Sequence, residues 1–184
     1  MDPSPMSQEP SRRRVSPTLV AAGVAIALVA AALVYGLLAQ PGSRLEVGSP
    51  APDFQLSALD GTPMALAAQR GNVVVVNFFA SWCDPCRHEA AALEATWRAY
   101  QGQGVQFFGI AYKDVESAAK AFMTEFGVSY PTAIEPGNRT SRLYGVTGVP
   151  ETFVVDQKGN LVHHFVGAVT QAELAQVIIP LLSR

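Results

Sequence analysis

Cysteine and charge are both scarce in this chain. Only two of its 184 residues are cysteines, and charged residues make up 15% of the sequence, against about 25% in an average soluble protein. Two cysteines exclude a scaffold built on many disulfides. The 13 basic and 15 acidic residues give a formal net charge of −2. A chain with this balance has no broad basic surface, so we expect no nucleic-acid partner.

The low charge reflects one long uncharged segment near the N-terminus. Leu19 to Ala39 consists almost entirely of Ala, Val, Leu, Ile and Gly, and it follows the cluster Arg12-Arg13-Arg14. A helix of about 21 residues is about 30 Å long, which matches the hydrocarbon layer of a membrane. Arginines that precede such a helix stay in the cytoplasm. We therefore predict a single transmembrane anchor over residues 18–39.

The anchor divides the chain into four predicted parts. Residues 1–17 are rich in Pro, Ser and Arg and predict a disordered cytoplasmic tail. Residues 40–47 predict a short linker, and residues 48–184 are enough for one extracytoplasmic domain. A cleaved signal peptide is the alternative, but its apolar core usually has about 7–15 residues before a small-x-small site. Leu37-Leu38-Ala39 has leucine where that site needs a small residue. Whether the segment is removed stays open.

The domain alternates strands and helices. Two short apolar stretches flank Asp60-Gly61, a strong hairpin signal, and Val73 to Phe79 (VVVVNFF) predicts a central strand buried on both faces. The later predicted elements are a helix from Asp84 to Gln101, a strand from Val105 to Ala111, a helix from Asp114 to Gly127, a strand from Thr132 to Ile134, a helix from Asn138 to Tyr144, strands from Thr152 to Asp156 and Leu161 to Val166, and a helix from Thr170 to Leu182. This order of elements predicts an α/β fold with a mixed central sheet flanked by helices, preceded by a β-hairpin extension.

The two cysteines lie where the central strand ends and a helix begins, in Trp82-Cys83-Asp84-Pro85-Cys86. Disulfide exchange requires a thiolate, and a helix N-terminus stabilises negative charge at Cys83. Cys86, one turn later, can attack a mixed disulfide on Cys83 and release the reduced partner. The pattern therefore predicts Cys83 as the nucleophile and Cys86 as the resolving thiol, with Trp82 shielding the pair from water.

Two other uses of a cysteine pair fit less well. A metal site needs further ligands at compatible spacing, and the only histidines are His88, His163 and His164, so we predict no metal. A purely structural disulfide would close a ring of four residues, which stabilises little in the loop-entropy model. No haem-binding or nucleotide-binding motif is present. The only redox group that we predict is the Cys83–Cys86 disulfide, without a cofactor.

These residues resemble the thioredoxin fold. The resemblance rests on WCDPC after a hydrophobic strand and on Val149-Pro150 further along, and it covers Gly48 to Leu182. More narrowly, the domain resembles the membrane-anchored extracytoplasmic thioredoxins of the TlpA, ResA and CcmG (DsbE) group of cytochrome c maturation. The segments that resemble the CcmG type are Ala51-Pro52-Asp53-Phe54, Tyr112-Lys113-Asp114, Tyr144-Gly145-Val146 and Gly148-Val149-Pro150-Glu151-Thr152-Phe153.

The resemblance implies roles for five further residues. Val149-Pro150 would be cis, with its backbone facing the cysteines, so that Val149, Pro150 and Trp82 contact the substrate chain. Glu89 would be a buried glutamate that takes the proton of the resolving thiol, and an exposed helix glutamate is the alternative. Glu151 would face the substrate groove, and a surface charge on an edge strand is the alternative.

The resemblance also implies a function. A single-pass membrane protein with its thioredoxin domain on the periplasmic side would reduce the CxxCH disulfide of apocytochrome c, or of a partner protein. A transmembrane thiol carrier would reduce it in turn. A general extracytoplasmic reductase is the alternative within this class.

Two other classes share parts of the pattern. Peroxiredoxin-like peroxidases also contain Ala51-Pro52-Asp53-Phe54, but their Pro-x-x-x-Thr-x-x-Cys loop is absent before Cys83. Copper-binding assembly modules of the same fold have three residues between their cysteines, whereas this chain has Asp84-Pro85.

Overall fold

The chain divides into two structural units, residues 1–42 and 43–184. The computed structural model describes residues 17–38, 45–135 and 137–183. In the first unit it contains one helix of 22 residues, α1 (Pro17–Leu38). The predicted tail, except for its last residue, and the predicted linker, except for residues 45–47, lie outside the described residues.

Helix α1 coincides with the segment for which we predict a membrane anchor. Among the residues that the structure describes, however, no helix is both long enough and apolar enough to cross a bilayer. The anchor over residues 18–39 stays a prediction.

The second unit contains seven strands and four helices in the described residues. In chain order they are β1 (Gln55–Ser57), β2 (Pro63–Ala65), β3 (Val73–Phe79), α2 (Asp84–Tyr100), β4 (Val105–Ala111), α3 (Glu116–Phe126), β5 (Thr132–Ile134), α4 (Arg139–Leu143), β6 (Glu151–Val155), β7 (Leu161–Val166) and α5 (Gln171–Leu182), with a short 3-10 helix at Ala67–Gln69 before β3. The predicted order of elements is confirmed, including the hairpin around Asp60-Gly61.

Five of the strands form one mixed sheet in the order β5-β4-β3-β6-β7. β3 is parallel to β4, and β4 is parallel to β5, while β6 is antiparallel to both β3 and β7. All seven residues of β3 are buried, as expected for a β-branched and aromatic run at the centre of a covered sheet. The predicted mixed sheet between helices is confirmed.

Side chains of β3 alternate between two cores, because successive residues of a strand point to opposite faces. Val73, Val75 and Phe79 pack in the core formed with α2, α3 and α5. Val74 and Phe78 pack in the other core, with the β1–β2 hairpin and residues next to α4. The cysteines belong to the first of these cores. Helix α2, which follows β3 directly, therefore carries the cysteine pair over one face of the sheet.

Candidate active site

The two cysteines form a disulfide at the start of α2. Cys83 is the N-cap residue, and its Sγ accepts a hydrogen bond of 3.2 Å from the backbone N–H of Cys86. Pro85 occupies the first turn of the helix, where no backbone N–H is required. Once the disulfide opens, the free N–H groups of this turn stabilise a thiolate on Cys83. The geometry therefore favours Cys83 over Cys86 as the attacking sulfur.

The loop before β6 closes over the disulfide. The Val149–Pro150 peptide bond is cis, as the resemblance implied, and the carbonyl oxygen of Val149 lies 3.5 Å from Sγ of Cys83. Pro150 is buried, and its carbonyl oxygen accepts a hydrogen bond of 2.9 Å from the N–H of Gly167. The backbone of the half-buried Val149 therefore lies beside Sγ of Cys83.

The segment before Cys83 is held by the segment after β4. The carboxylate of Asp114 accepts hydrogen bonds from the backbone N–H of Ser81, at 2.6 Å, and from its hydroxyl, at 2.9 Å. The indole N–H of Trp82 donates to the carbonyl oxygen of Lys113 at 3.2 Å, while the residue remains 60% exposed. The sequence predicts that a helix begins at Asp114, but α3 begins at Glu116. The Asp114 side chain instead binds Ser81, two residues before Cys83.

Glu89 lies one turn after Cys86 and is buried, with 1% of its surface exposed. Its Oε1 accepts a hydrogen bond from the Asn77 amide and its Oε2 one from the N–H of Val169, both 2.9 Å long. Burial disfavours the charged form and raises the pKa of Glu89 to about 7, although both hydrogen bonds act in the opposite direction. The alternative of an exposed helix glutamate is wrong, and a carboxyl group with this pKa can exchange its proton at neutral pH.

Asn77 and Thr152 extend this buried polar cluster across two strands. They are partners in the pairing of β3 with β6, and Nδ2 of Asn77 donates a hydrogen bond of 2.9 Å to Oγ1 of Thr152. Neither residue was among the predicted site residues. A signal was present, however, because an asparagine inside the apolar run VVVVNFF needs a buried hydrogen-bond partner.

Glu151 lies neither in the predicted substrate groove nor on the surface of an edge strand. It lies in β6, which is paired on both sides, and only 3% of it is exposed. Its Oε1 accepts hydrogen bonds from the N–H groups of Thr147, at 2.9 Å, and Gly148, at 3.2 Å, and its Oε2 lies 2.7 Å from Nε2 of His164. This corrects the expectation of a side chain that faces the groove and the alternative of an edge-strand surface charge. The carboxylate instead fixes the loop that presents Val149.

Replacing Glu151 with alanine is expected to loosen this loop. The N–H groups of Thr147 and Gly148 lose a charged acceptor, so the free energy of unfolding should fall by about 1–3 kcal/mol. Urea unfolding at neutral pH measures the change. Glu151→Gln is the matched control, because it keeps an acceptor oxygen and should lose less than half as much. Equal losses in the two variants would contradict this account.

The three histidines lie apart from the cysteine pair. His88 is exposed on α2, His163 packs against Phe165, and His164 stacks on Phe153 with a ring separation of 4.1 Å. In the part of the chain that the structure describes, no group of three or more His, Cys, Asp or Glu side chains could hold a metal ion.

Known proteins match the chain across this site. The AhpC/TSA family matches residues 47–164. The thiol-disulfide oxidoreductase ResA of Geobacillus thermodenitrificans is 32% identical over 161 residues, which cover 86% of this chain and 92% of the relative. The thiol:disulfide interchange protein DsbE of Allochromatium vinosum is 36% identical over 171 residues, which cover 90% of this chain and 92% of the relative.

A solved structure of the same kind of protein superposes on this chain. A crystal structure from Chlorobium tepidum, described as a thiol:disulfide interchange protein DsbE, superposes with a TM-score of 0.70 and 31% sequence identity. The superposition covers 75% of this chain and 99% of the other. The second unit therefore has the thioredoxin-like α/β fold, with a mixed sheet and flanking helices.

Proposed function

Because the chain belongs to the AhpC/TSA family and is a thiol-disulfide oxidoreductase of the ResA and DsbE type, we propose that it acts as a reductase in cytochrome c maturation. Its substrate is the disulfide in the CxxCH segment of apocytochrome c, or the disulfide of a partner protein in the same route. A transmembrane thiol carrier returns the two electrons. The observation that carries the proposal is the buried carboxyl group of Glu89, one helical turn behind the resolving cysteine.

The proposed reaction begins with the reduced cysteine pair. The thiolate of Cys83 attacks one sulfur of the substrate disulfide, and the other substrate sulfur leaves as a thiolate. Cys86 then loses its proton to Glu89 and attacks Sγ of Cys83, which releases the second substrate sulfur. The two electrons of the dithiol have then reached the substrate, whose two thiolates take up the proton held by Glu89 and one proton from water. The Cys83–Cys86 disulfide seen in the structure is the product state. A buried base at Glu89 supports this direction, because the release step needs a thiolate on Cys86.

The surface around the disulfide supports binding of an extended substrate chain. Trp82 is 60% exposed next to Cys83, and the half-buried Val149 presents its backbone beside the same sulfur. We assign Trp82, Val149 and Pro150 to substrate binding. Glu151 supports the loop from behind and does not contact the substrate.

The proposed location is the periplasmic side of the cell membrane, with the chain anchored by residues 18–39. The uncharged run from Leu19 to Ala39 and the arginines before it support this. After an alkaline carbonate wash of the membranes, the full-length chain is expected in the pellet and a chain without residues 1–42 in the supernatant. Release of the full-length chain by the wash would contradict the anchor.

The reduction potential of the full-length chain tests the direction of electron flow. Thiol trapping across a dithiothreitol or glutathione series should give a value close to that of thioredoxin, about −270 mV, or lower. A value near about −120 mV, like that of the oxidant DsbA, would contradict a reductase.

The substrate is tested with two oxidised peptides that differ by one residue, CxxCH and CxxCA. Faster reduction of the CxxCH peptide is expected of a cytochrome c maturation protein. Equal rates would favour the general reductase, and consumption of hydrogen peroxide would favour the peroxidase.

A further inference from the structure

One buried polar atom beside Glu89 is not used in the proposed reaction. Oδ1 of Asn77 has no hydrogen-bond partner among the described residues, whereas Nδ2 of the same amide donates both to Glu89 and to Thr152. All three side chains are at most 1% exposed. An unpaired buried acceptor destabilises the folded state, so the orientation of this amide requires an explanation.

The observed arrangement suits only the ionised form of Glu89. A carboxylate can accept hydrogen bonds at both oxygens, and here it accepts from Asn77 at Oε1 and from Val169 at Oε2. When Oε1 carries a proton, its O–H group faces an N–H group of Asn77, and two donors oppose each other. The Val169 donor belongs to the backbone and cannot turn. The side-chain amide of Asn77 can.

A half-turn of the Asn77 amide exchanges Oδ1 and Nδ2. Oδ1 then accepts from the protonated carboxyl group of Glu89 and from the hydroxyl group of Thr152, since a hydroxyl group can both donate and accept. Either orientation leaves one end of the amide unpaired, so neither is favoured by the count of hydrogen bonds alone. The proton on Glu89 decides between them.

We propose that Asn77 is a positioning residue whose side-chain amide turns over each time Glu89 gains or loses its proton. The inference rests on the proposed function in one respect, namely that Cys86 supplies this proton during turnover. The turn provides a matching hydrogen-bond partner for each charge state of Glu89. Asn77 thereby allows the buried carboxyl group of Glu89 to act as a base and then to remain protonated.

Few other groups can respond to the charge of Glu89. Cys86 lies one turn before Glu89 on the same helix, and the pKa of Tyr130 is raised by burial first and then by the carboxylates of Glu89 and Glu94. No lysine, arginine or histidine forms an ion pair with Glu89 in the described ranges. The response to the proton therefore depends on the Asn77 amide.

The test follows the Asn77 amide by NMR in the full-length oxidised chain, in which the cysteines do not titrate. The Asn77 NH₂ signals are identified by their absence from Asn77→Leu, and the Glu89 carboxyl signal is titrated in parallel. The NOE between the Asn77 NH₂ group and the Thr152 side chain is expected above the Glu89 midpoint and should be lost below it. Asn72, whose amide donates to the neutral Gln69 at 3.0 Å, is the control and should not change.

Two variants test whether the pH dependence comes from Asn77 and Glu89. Glu89→Gln should make the Asn77 signals independent of pH. Asn77→Leu removes a partner of both charge states and should raise the Glu89 midpoint by about one pH unit or less, because a hydrogen bond to the carboxylate is stronger than one to the neutral acid. The NOE separates a turning amide from a fixed one, and an NOE to Thr152 that persists through the whole Glu89 titration would overturn the proposal. Reduction of the CxxCH peptide is measured separately, so a failure there would remove the cytochrome c role without affecting this result.

Discussion

Replacing Cys83 with alanine is expected to lower the rate of disulfide reduction by about 10⁴-fold or more, the scale on which loss of a nucleophile acts in other enzymes. Replacing Cys86 with alanine should leave the first step intact and block the second. The expected product is a stable mixed disulfide between Cys83 and the substrate. Non-reducing gels and mass spectrometry after mixing each reduced variant with the oxidised CxxCH peptide distinguish the two results.

The difference between the two cysteines follows from their positions. Cys83 is the N-cap residue, with the Cys86 N–H at 3.2 Å from its Sγ and the Val149 carbonyl oxygen at 3.5 Å. Cys86 lies inside the first turn and is 1% exposed, against 4% for Cys83. The double variant should form no adduct and serves as the control. An adduct in Cys83→Ala but not in Cys86→Ala would reverse the assigned roles.

Replacing Glu89 with glutamine is expected to stabilise the protein at alkaline pH. The pKa of Glu89 is raised by burial from 4.5 to about 7 in the folded state, so the folded state holds the proton more tightly than the unfolded state. As the pH rises from about 4.5 to about 7, the unfolded chain releases this proton first. The free energy of unfolding therefore falls by roughly 3 kcal/mol in this window and is level above it. Glutamine does not titrate, so this loss is absent in the variant. The free energy of unfolding of Glu89→Gln, measured relative to that of the native protein, should therefore be roughly 3 kcal/mol higher at pH 8 than at pH 4.

Glu94 on the same helix is the matched control. Burial acts against its charged form, but hydrogen bonds from Ser129 and Arg98 hold the pKa of Glu94 below its usual value. Its contribution to stability is therefore present at neutral pH and is lost as the pH falls, so Glu94→Gln should destabilise at pH 8. Urea unfolding of the oxidised chain at pH 4 and pH 8 measures both variants. A change of the same sign in both would contradict the role of burial at Glu89.

The order of elements and the cysteine pair could be predicted because both are local. A β-branched run, a hairpin signal at Asp60-Gly61 and a CxxC motif at the end of a strand each depend on a few neighbouring residues. Glu89 was placed by its position one turn after Cys86 together with the resemblance. Its burial then follows from α2 packing over the sheet.

The parts that could not be predicted depend on contacts between distant segments. Asp114 has the sequence position of a helix cap, but it binds Ser81, 33 residues earlier in the chain. Glu151 is buried because β6 lies between β3 and β7, and a strand's place in the sheet cannot be read from its own residues. The cluster of Asn77, Thr152 and Glu89 joins two strands and a helix, so its three members become neighbours only in the folded protein.

Strand β6 supports the active site from both of its faces with two successive residues. Glu151 points to the hairpin side and holds the loop that presents Val149, whereas Thr152 points to the α2 side and holds Asn77. Insertion of one residue between Pro150 and Glu151 would either move the proline away from its place beside Cys83 or shift both β6 side chains to the opposite faces. Insertions in the β6–β7 turn, residues 157–160, would leave the register of β6 against β3 unchanged. Homologous chains should therefore tolerate length changes in this turn and conserve the number of residues between the proline and the strand.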